Sequence, residues 1–321
     1  MVQAKLIEFG GRSSVARHRD RERRCRLHPK GEQKMPLKKK GNKGPLSAEE
    51  EAAKLKELRD SLGPLSGLTA LFCTDACLYR YLRANNWSHK KSRKMLKETI
   101  KWRKLYKPEE IKWEAIGKEA ETGKIYRADF CDREGRSVLI MRPGAQNTNQ
   151  LEGQIKYLVY CMENAILNLP PDQEQMVWLV DFEGWNMSMI PVMTARETAN
   201  VLQNHYPERL AYAILYNPPK FFEGFFNIVR PFLDPKTQKK VNFVYPNEEE
   251  SVRLMETCFD MEKIESVFGG RSASRFNKDE YANKMRDDDI KTALLWQKVP
   301  AANGTGGTID SEACSNGVAV A

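Results

Sequence analysis

The sequence has no apolar run long enough to cross a membrane. A membrane-spanning helix needs about 20 mostly apolar residues, and no run in this chain of 321 residues approaches that length. Residues 1–45 also lack the apolar core of a secretory signal peptide. The chain nevertheless has 41% hydrophobic residues and 13 Phe, enough for a sizeable folded core. These features predict a cytoplasmic protein.

The chain is also poor in residues and motifs that serve catalysis or metal binding. It has four His, and its seven Cys form no CxxC pair, so we expect no metal site and reduced, buried thiols. The motifs of serine hydrolases, P-loop and dinucleotide-binding proteins and zinc proteases are absent. His205 is expected to pack or cap a helix end, and Asp181, at the end of a buried strand, to cap a loop. We therefore predict no enzymatic activity and no cofactor.

Positive charge is concentrated at the start of the chain. Residues 1–45 contain 14 Lys or Arg and four Asp or Glu, while the whole chain has a net charge of +9. The rest of the chain is therefore close to neutral, which argues against nucleic-acid binding by the folded part. We expect segment 1–45 to be a disordered basic tail that can touch anionic lipid. Met35 is an alternative start of translation.

The order of periodic segments predicts two folded parts. A capping box at Ser47 and Glu50, followed by two further helical segments, predicts a small helical subdomain over residues 46–117. Strands and helices then alternate over residues 118–275, with crossovers of about 10–15 residues. This alternation predicts an α/β domain with a mostly parallel mixed sheet flanked by helices. A C-terminal helix at 276–290 and a disordered tail at 291–321 complete the prediction.

Four phenylalanines lie within six residues in the stretch NPPKFFEGFFNIVRPFLDP, which runs from Asn217 to Pro235. From Pro219 onward the apolar residues have helical spacing and form one face. The face comprises Phe222, Phe225, Phe226, Val229, Phe232 and Leu233. It either packs on the sheet as a core helix or covers an apolar cavity, with Gly224 and the prolines as hinges. Periodicity alone leaves both possibilities open.

Six segments carry a resemblance to a known family, in the expected order over about residues 70–285. They read CLYRYLRANNWSHKKSRKMLKETIKWR, IYRADFCDREGRSVLIMRPG, VWLVDFEGW, HYPERLAYAILYNPPKFF, PFLDPKTQKKV and FGG. Together they resemble the CRAL-TRIO lipid-binding family, most closely its phosphatidylinositol-transfer branch. The resemblance implies a helical subdomain, a sheet whose groove holds one lipid, and a mobile amphipathic helix that closes the groove. The gate and acyl pocket would then be formed by Phe221, Phe222, Phe225, Phe226, Val229 and Phe232.

The resemblance also assigns residues to the lipid headgroup. Glu208 would accept hydrogen bonds from inositol hydroxyls, and Lys240, with Thr237 nearby, would bind the phosphate. Alternatively, Glu208 pairs locally with Arg209 and caps a helix. Asn85, with Asn86, stands where the family has basic residues. The arginines that could compensate in the headgroup site are Arg80 and Arg83.

Two further departures from the family bear on the ligand. Met176, Val177 and Trp178 replace the Ser-x-Thr that accommodates a choline headgroup, which argues against phosphatidylcholine exchange. Glu265 replaces a proline near the closing FGG, which we take to be a structural nuance. The prediction is therefore a monomeric carrier of a phospholipid, most favourably phosphatidylinositol, that contacts membranes transiently and peripherally. The alternative is a carrier or sensor of a sterol or isoprenoid in the same pocket.

Overall fold

The computed structural model describes residues 46–186, 188–189 and 191–297, all within one compact unit. The predicted basic tail at 1–45 and residues 298–321 of the predicted disordered tail at 291–321 lie outside these residues, whereas residues 291–297 are helical, so this part of the prediction is wrong. None of the helices in the described part is long and apolar enough to span a bilayer.

The first helix of the described chain begins with the capping box that the sequence predicts. Glu50 N donates to Ser47 Oγ over 3.2 Å, and Ser47 N donates to Glu50 Oε2 over 2.9 Å, which completes the capping box. Thr74 caps a later helix by accepting from Cys77 N. These helices share their own apolar cluster, which includes Leu58, Leu78, Leu82 and Leu96. The bounds are α1 Ala48–Leu62, α2 Gly67–Phe72, α3 Asp75–Ala84, α4 His89–Tyr106 and α5 Gly117–Ala120.

A sheet with strand order β1-β2-β3-β4-β5 follows. Its strands are β1 Ile125–Cys131, β2 Ser137–Met141, β3 Met176–Asp181, β4 Leu210–Tyr216 and β5 Val241–Val244. The first two strands pair antiparallel, and each later strand pairs parallel with its predecessor. The predicted mixed, mostly parallel sheet is thus confirmed. Strand β3 is covered on both faces: Val177 and Leu179 are 0% exposed in the core, whereas Trp178 and Val180 face a cavity on the other side.

The remaining helices are α6 Leu151–Leu167, α7 Val192–His205, α8 Phe222–Val229, α9 Pro235–Gln238, α10 Glu249–Cys258 and α11 Lys278–Gln297. The last helix therefore extends past residue 290, where the sequence analysis ended it. Helix α8 is shorter than its periodicity predicts and gives way to a 3₁₀ turn at Arg230–Phe232. Pro231 explains the change, because its ring has no N–H and cannot continue an α-helix.

His205 and Asp181 have structural roles, as predicted. The His205 ring stacks on Trp102 at 4.1 Å, its Nδ1 lies 3.1 Å from Thr99 Oγ1, and burial lowers its pKa to about 4. Asp181 accepts a hydrogen bond from Glu183 N over 2.9 Å and so caps the loop after β3. The cysteines of the described part are free, and three of them are buried, namely Cys73, Cys77 and Cys161.

Candidate functional site

An apolar cavity of about 330 Å³ lies between the sheet and helices α6, α7 and α8. We call it the apolar cavity. Its sheet wall includes Trp178 and Val180 from β3, Ala213 and Leu215 from β4, and Val241 from β5. These are alternate residues of their strands, and such residues share one face of a sheet. The volume is at the low end of the roughly 300–1,000 Å³ that is usual for ligand cavities.

Helix α8 forms part of the wall of this cavity. Of the six predicted gate residues, four line it, namely Phe222, Phe225, Phe226 and Val229. The other two do not. Phe221 is 51% exposed and stacks on Trp185, and Phe232 lies beside the Arg196 guanidinium. Phe221 lies just before α8 and Phe232 in the 3₁₀ turn after it, so neither side chain is on the face of the helix that lines the cavity.

The same helix also belongs to a small apolar cluster. Phe222 and Phe225 are only 6% and 5% exposed, and they pack with Phe182 and Trp185 beyond the end of β3. This cluster is separate from the main core of the α/β domain. Helix α8 therefore packs on the sheet and lines a cavity at once, and its movement as a lid stays a prediction.

A second cavity of about 220 Å³ adjoins the apolar cavity. We call it the polar cavity because charged residues, among them Glu208, Lys236 and Lys240, line part of it. It contains three of the predicted headgroup residues, Glu208, Thr237 and Lys240. The two cavities share a set of lining residues, namely Trp178, Ala199, Leu202, Leu210, Leu233 and Thr237. A ligand with an apolar part and a polar part could therefore occupy both.

The parallel sheet explains how Glu208 and Lys240 meet. Glu208 lies just before β4 and Lys240 just before β5, and the amino ends of neighbouring parallel strands share one edge of the sheet. Lys240 Nζ lies 3.5 Å from Glu208 Oε2 and donates to the Leu210 carbonyl over 2.7 Å. Glu208 has a φ of 58°, a left-handed conformation that is strained for a residue other than glycine.

Lys236 is a site residue that the sequence analysis did not single out, although it lies within the quoted PFLDPKTQKKV. Its Nζ is 3.9 Å from Glu208 Oε1 and donates to the Arg83 carbonyl over 2.7 Å. The ion-pair partners of Glu208 are thus Lys236 and Lys240, so the alternative pairing with Arg209 is wrong.

The predicted arginines are arranged differently. Arg80 is 7% exposed, donates to Glu174 Oε1 over 2.8 Å and lines a different cavity. Arg83 binds the same carboxylate, and only its carbonyl contacts a headgroup-site residue. Asn85 does line the polar cavity. The structure therefore does not bring the two guanidinium groups to Lys240, and their compensating role stays a prediction.

Trp178 stands where the two cavities meet, since it lines both. Its indole Nε1 is buried and has no hydrogen-bond partner among the described residues. A buried donor of this kind calls for an explanation, because nearly all such groups in proteins are paired. An acceptor on a ligand that spans the junction would supply the partner.

Comparison with known proteins agrees with this geometry. Residues 120–270 match the CRAL/TRIO domain, and residues 51–98 match the CRAL/TRIO N-terminal domain. The crystal structure of Sfh5 shares the fold, with a TM-score of 0.57 and 14% identity, covering 78% of this chain and 98% of that one.

Curated relatives extend the match. A CRAL-TRIO domain-containing protein of Schizosaccharomyces pombe is 33% identical over 74% of this chain, which spans only 23% of that relative's length. The phosphatidylinositol transfer protein PDR17 of Saccharomyces cerevisiae is 32% identical over 71% of this chain and 67% of its own length. The SEC14 cytosolic factor of Kluyveromyces lactis is 31% identical, with 72% and 81% covered. Because PDR17 and the SEC14 cytosolic factor are more than 30% identical to it and are covered to two thirds or more, the chain belongs to the CRAL-TRIO family.

Proposed function

We propose that this protein binds one phospholipid, most favourably phosphatidylinositol, and transfers it between membranes or presents it. The proposal rests on one observation: the apolar cavity adjoins a polar cavity that is lined by the Glu208–Lys240 ion pair. The relative PDR17 is named a phosphatidylinositol transfer protein, which supports the same ligand. The proposed action is binding and transport, with no chemical step.

The apolar cavity, at about 330 Å³, supplies part of the surface that acyl chains require, and in this proposal α8 moves outward to admit the rest. Each methylene removed from water contributes about 0.8 kcal/mol, and a diacyl phospholipid carries roughly thirty of them. A protein that lifts such a lipid out of a bilayer must offer a comparable apolar surface. In this proposal, the chains lie against the β3 and β4 side chains and under Phe225 and Phe226 of α8.

The polar cavity supplies complementary groups for an inositol phosphate. A carboxylate accepts hydrogen bonds from several hydroxyls, and an ammonium group binds phosphate. In this proposal, Lys240, with Thr237 beside it, moves from the Leu210 carbonyl to the phosphate. Glu208 then turns to the inositol hydroxyls. Lys236, already close to Glu208, is placed to balance the charge of that carboxylate.

Helix α8 is the proposed gate. It is part of the connection that crosses from the carboxyl end of β4 to the amino end of β5, and so it runs along the cavity. Gly224 has open space around the position of a Cβ, and prolines flank the segment. Two large apolar side chains, Phe221 and Ile228, are each 51% exposed on or beside the helix. They suit contact with a bilayer.

Native mass spectrometry of the protein purified from cells tests the ligand. We expect a one-to-one adduct with the mass of phosphatidylinositol, and vesicle-to-vesicle transfer of phosphatidylinositol well above that of phosphatidylcholine. A sterol or isoprenoid adduct would instead support the alternative carrier function. Absence of any lipid adduct, together with absence of transfer, would contradict both. Robust phosphatidylcholine exchange would contradict the role assigned to Met176 and Trp178.

A further inference from the structure

A third cavity, of about 200 Å³, lies apart from the apolar cavity and shares no lining residue with it. It is lined by residues of α2 and α3, by the ends of α4, α6, α7 and α11, and by the segment before β4. Three arginines line it, namely Arg80, Arg103 and Arg209. We call it the arginine cavity.

The carboxylate that lines this cavity is already neutralised. Glu163 accepts from Arg103 over 2.7 and 3.2 Å and from Tyr206 Oη over 2.7 Å. Arg103 also binds Glu109 over 3.1 Å. Arg103 therefore binds two carboxylates, Glu163 and Glu109, while Glu163 attracts Arg209 only from a longer distance.

Arg209 has no carboxylate within 4.0 Å among the described residues. The one hydrogen bond of its guanidinium there runs from Nη1 to the Glu174 carbonyl over 2.9 Å, although a guanidinium has five N–H donors. The nearest arginine, Arg80, shares the Glu174 carboxylate with Arg83. Burial, with the charge of Arg80, lowers the pKa of Arg209 to about 10.

We propose that the arginine cavity binds a phosphate group, held by the unused donors of Arg209 and Arg80. Two guanidinium groups present N–H donors in a fixed, planar arrangement that matches phosphate oxygens. The cavity is several times the volume of one water molecule, about 30 Å³, so it admits a phosphate but not a diacyl lipid. The phosphate belongs either to inorganic phosphate or a small phosphate ester, or to the headgroup of the transferred lipid.

The chain connects this cavity to the headgroup site. Tyr206, Pro207 and Arg209 line both the arginine cavity and the polar cavity, and Glu208 lies between them in sequence. Phosphate bound to Arg209 would therefore hold the segment that carries Glu208. Binding itself does not depend on the proposed lipid function, because it requires only the folded protein.

The test is a titration of the full chain, stripped of lipid, with inorganic phosphate at constant ionic strength. Binding is followed by ¹H–¹⁵N NMR and by the melting temperature. We expect saturable binding, with shifts concentrated at Cys77, Arg80 and Arg209. Failure to saturate, or shifts confined to Thr237 and Lys240, would overturn the proposal. The NMR titration uses the unmodified protein, so it stands even where a variant fails to fold.

Variants identify the source of the phosphate. Arg209→Gln should weaken phosphate binding at least tenfold, whereas Arg133→Gln, an exposed arginine elsewhere, should leave it unchanged. If Arg209→Gln also weakens binding of water-soluble glycerophosphoinositol tenfold, the lipid headgroup is the source. If it leaves that binding unchanged, the source is inorganic phosphate or a small phosphate ester. Equal phosphate affinity in Arg209→Gln and the unmodified protein would refute the assignment.

Discussion

Lys240→Ala is the sharpest test of the headgroup proposal, because it should weaken lipid binding without unfolding the protein. In the structure, Lys240 Nζ lies 3.5 Å from Glu208 Oε2 and donates to the Leu210 carbonyl over 2.7 Å. Its side chain is 24% exposed. The residue therefore contributes one hydrogen bond and one partly exposed ion pair to the ligand-free protein.

The expected cost to stability is small. A partly exposed ion pair contributes about 0–1 kcal/mol, and a hydrogen bond about 0.5–1.5 kcal/mol. A domain typically has about 5–15 kcal/mol of unfolding free energy, so Lys240→Ala should remain folded. Loss of a charge-assisted hydrogen bond to a lipid phosphate costs about 1.5–3 kcal/mol, which corresponds to roughly 10- to 150-fold weaker binding.

The assay is transfer of labelled phosphatidylinositol between vesicles, with the melting temperature recorded alongside. Lys239→Ala is the matched control, because Lys239 is the preceding residue, is exposed and does not line the polar cavity. We expect transfer to fall tenfold or more in Lys240→Ala and to stay unchanged in Lys239→Ala. Unchanged transfer by a folded Lys240→Ala, or an equal fall in both variants, would refute the reasoning.

Three other predictions concern the gate, the junction and the tail. The double change Phe225→Ala, Phe226→Ala should reduce transfer far more than it lowers the melting temperature, whereas Phe259→Ala, in the main core and 0% exposed, should show the opposite balance; a double variant that barely folds would contradict the gate. Trp178→Phe removes the unpaired N–H, whose acceptor would be an ester carbonyl that a diether lipid lacks, so the variant should lose any preference for diester over diether phosphatidylinositol. Binding assays that find no such preference in the unmodified protein would contradict this role. Deletion of residues 1–44 should preserve lipid binding in solution and reduce binding to anionic vesicles, by about 1 kcal/mol per basic residue near the surface; loss of lipid binding would show that the predicted domain boundary is wrong.

Local signals in the sequence predicted most of the fold. The Ser47–Glu50 capping box involves residues three apart, so it can be recognised without knowledge of the rest of the chain. The strands were recognisable because β3 and β4 are short apolar runs between helices. The predicted helix was longer than α8 because the helical spacing of apolar residues continues past Pro231, where the α-helix has already ended.

The candidate site was harder to predict because it depends on contacts distant in sequence. Glu208 and Lys240 are brought together by strand order, and only the family resemblance anticipated that they meet. Arg80 illustrates the limit, since its partner Glu174 is 94 residues away and no local pattern signals the pair. The position of Trp178 at the junction of two cavities likewise follows from the packing of α7 and α9 over β3, which no single segment encodes.

The packing of α8 suggests why a gate would stay shut in water and open at a bilayer. Lifting α8 would expose Phe222 and Phe225, at about 1.5–3 kcal/mol each, or roughly 3–6 kcal/mol together. That cost corresponds to an open fraction of about 10⁻² to 10⁻⁴ in water. In contact with acyl chains the same side chains remain in an apolar environment, so most of the cost disappears. Because these phenylalanines belong to a cluster separate from the main core, α8 could move while the packing on the opposite face of the sheet stays intact. A helix with its phenylalanines in the main core would have to unfold that core in order to open.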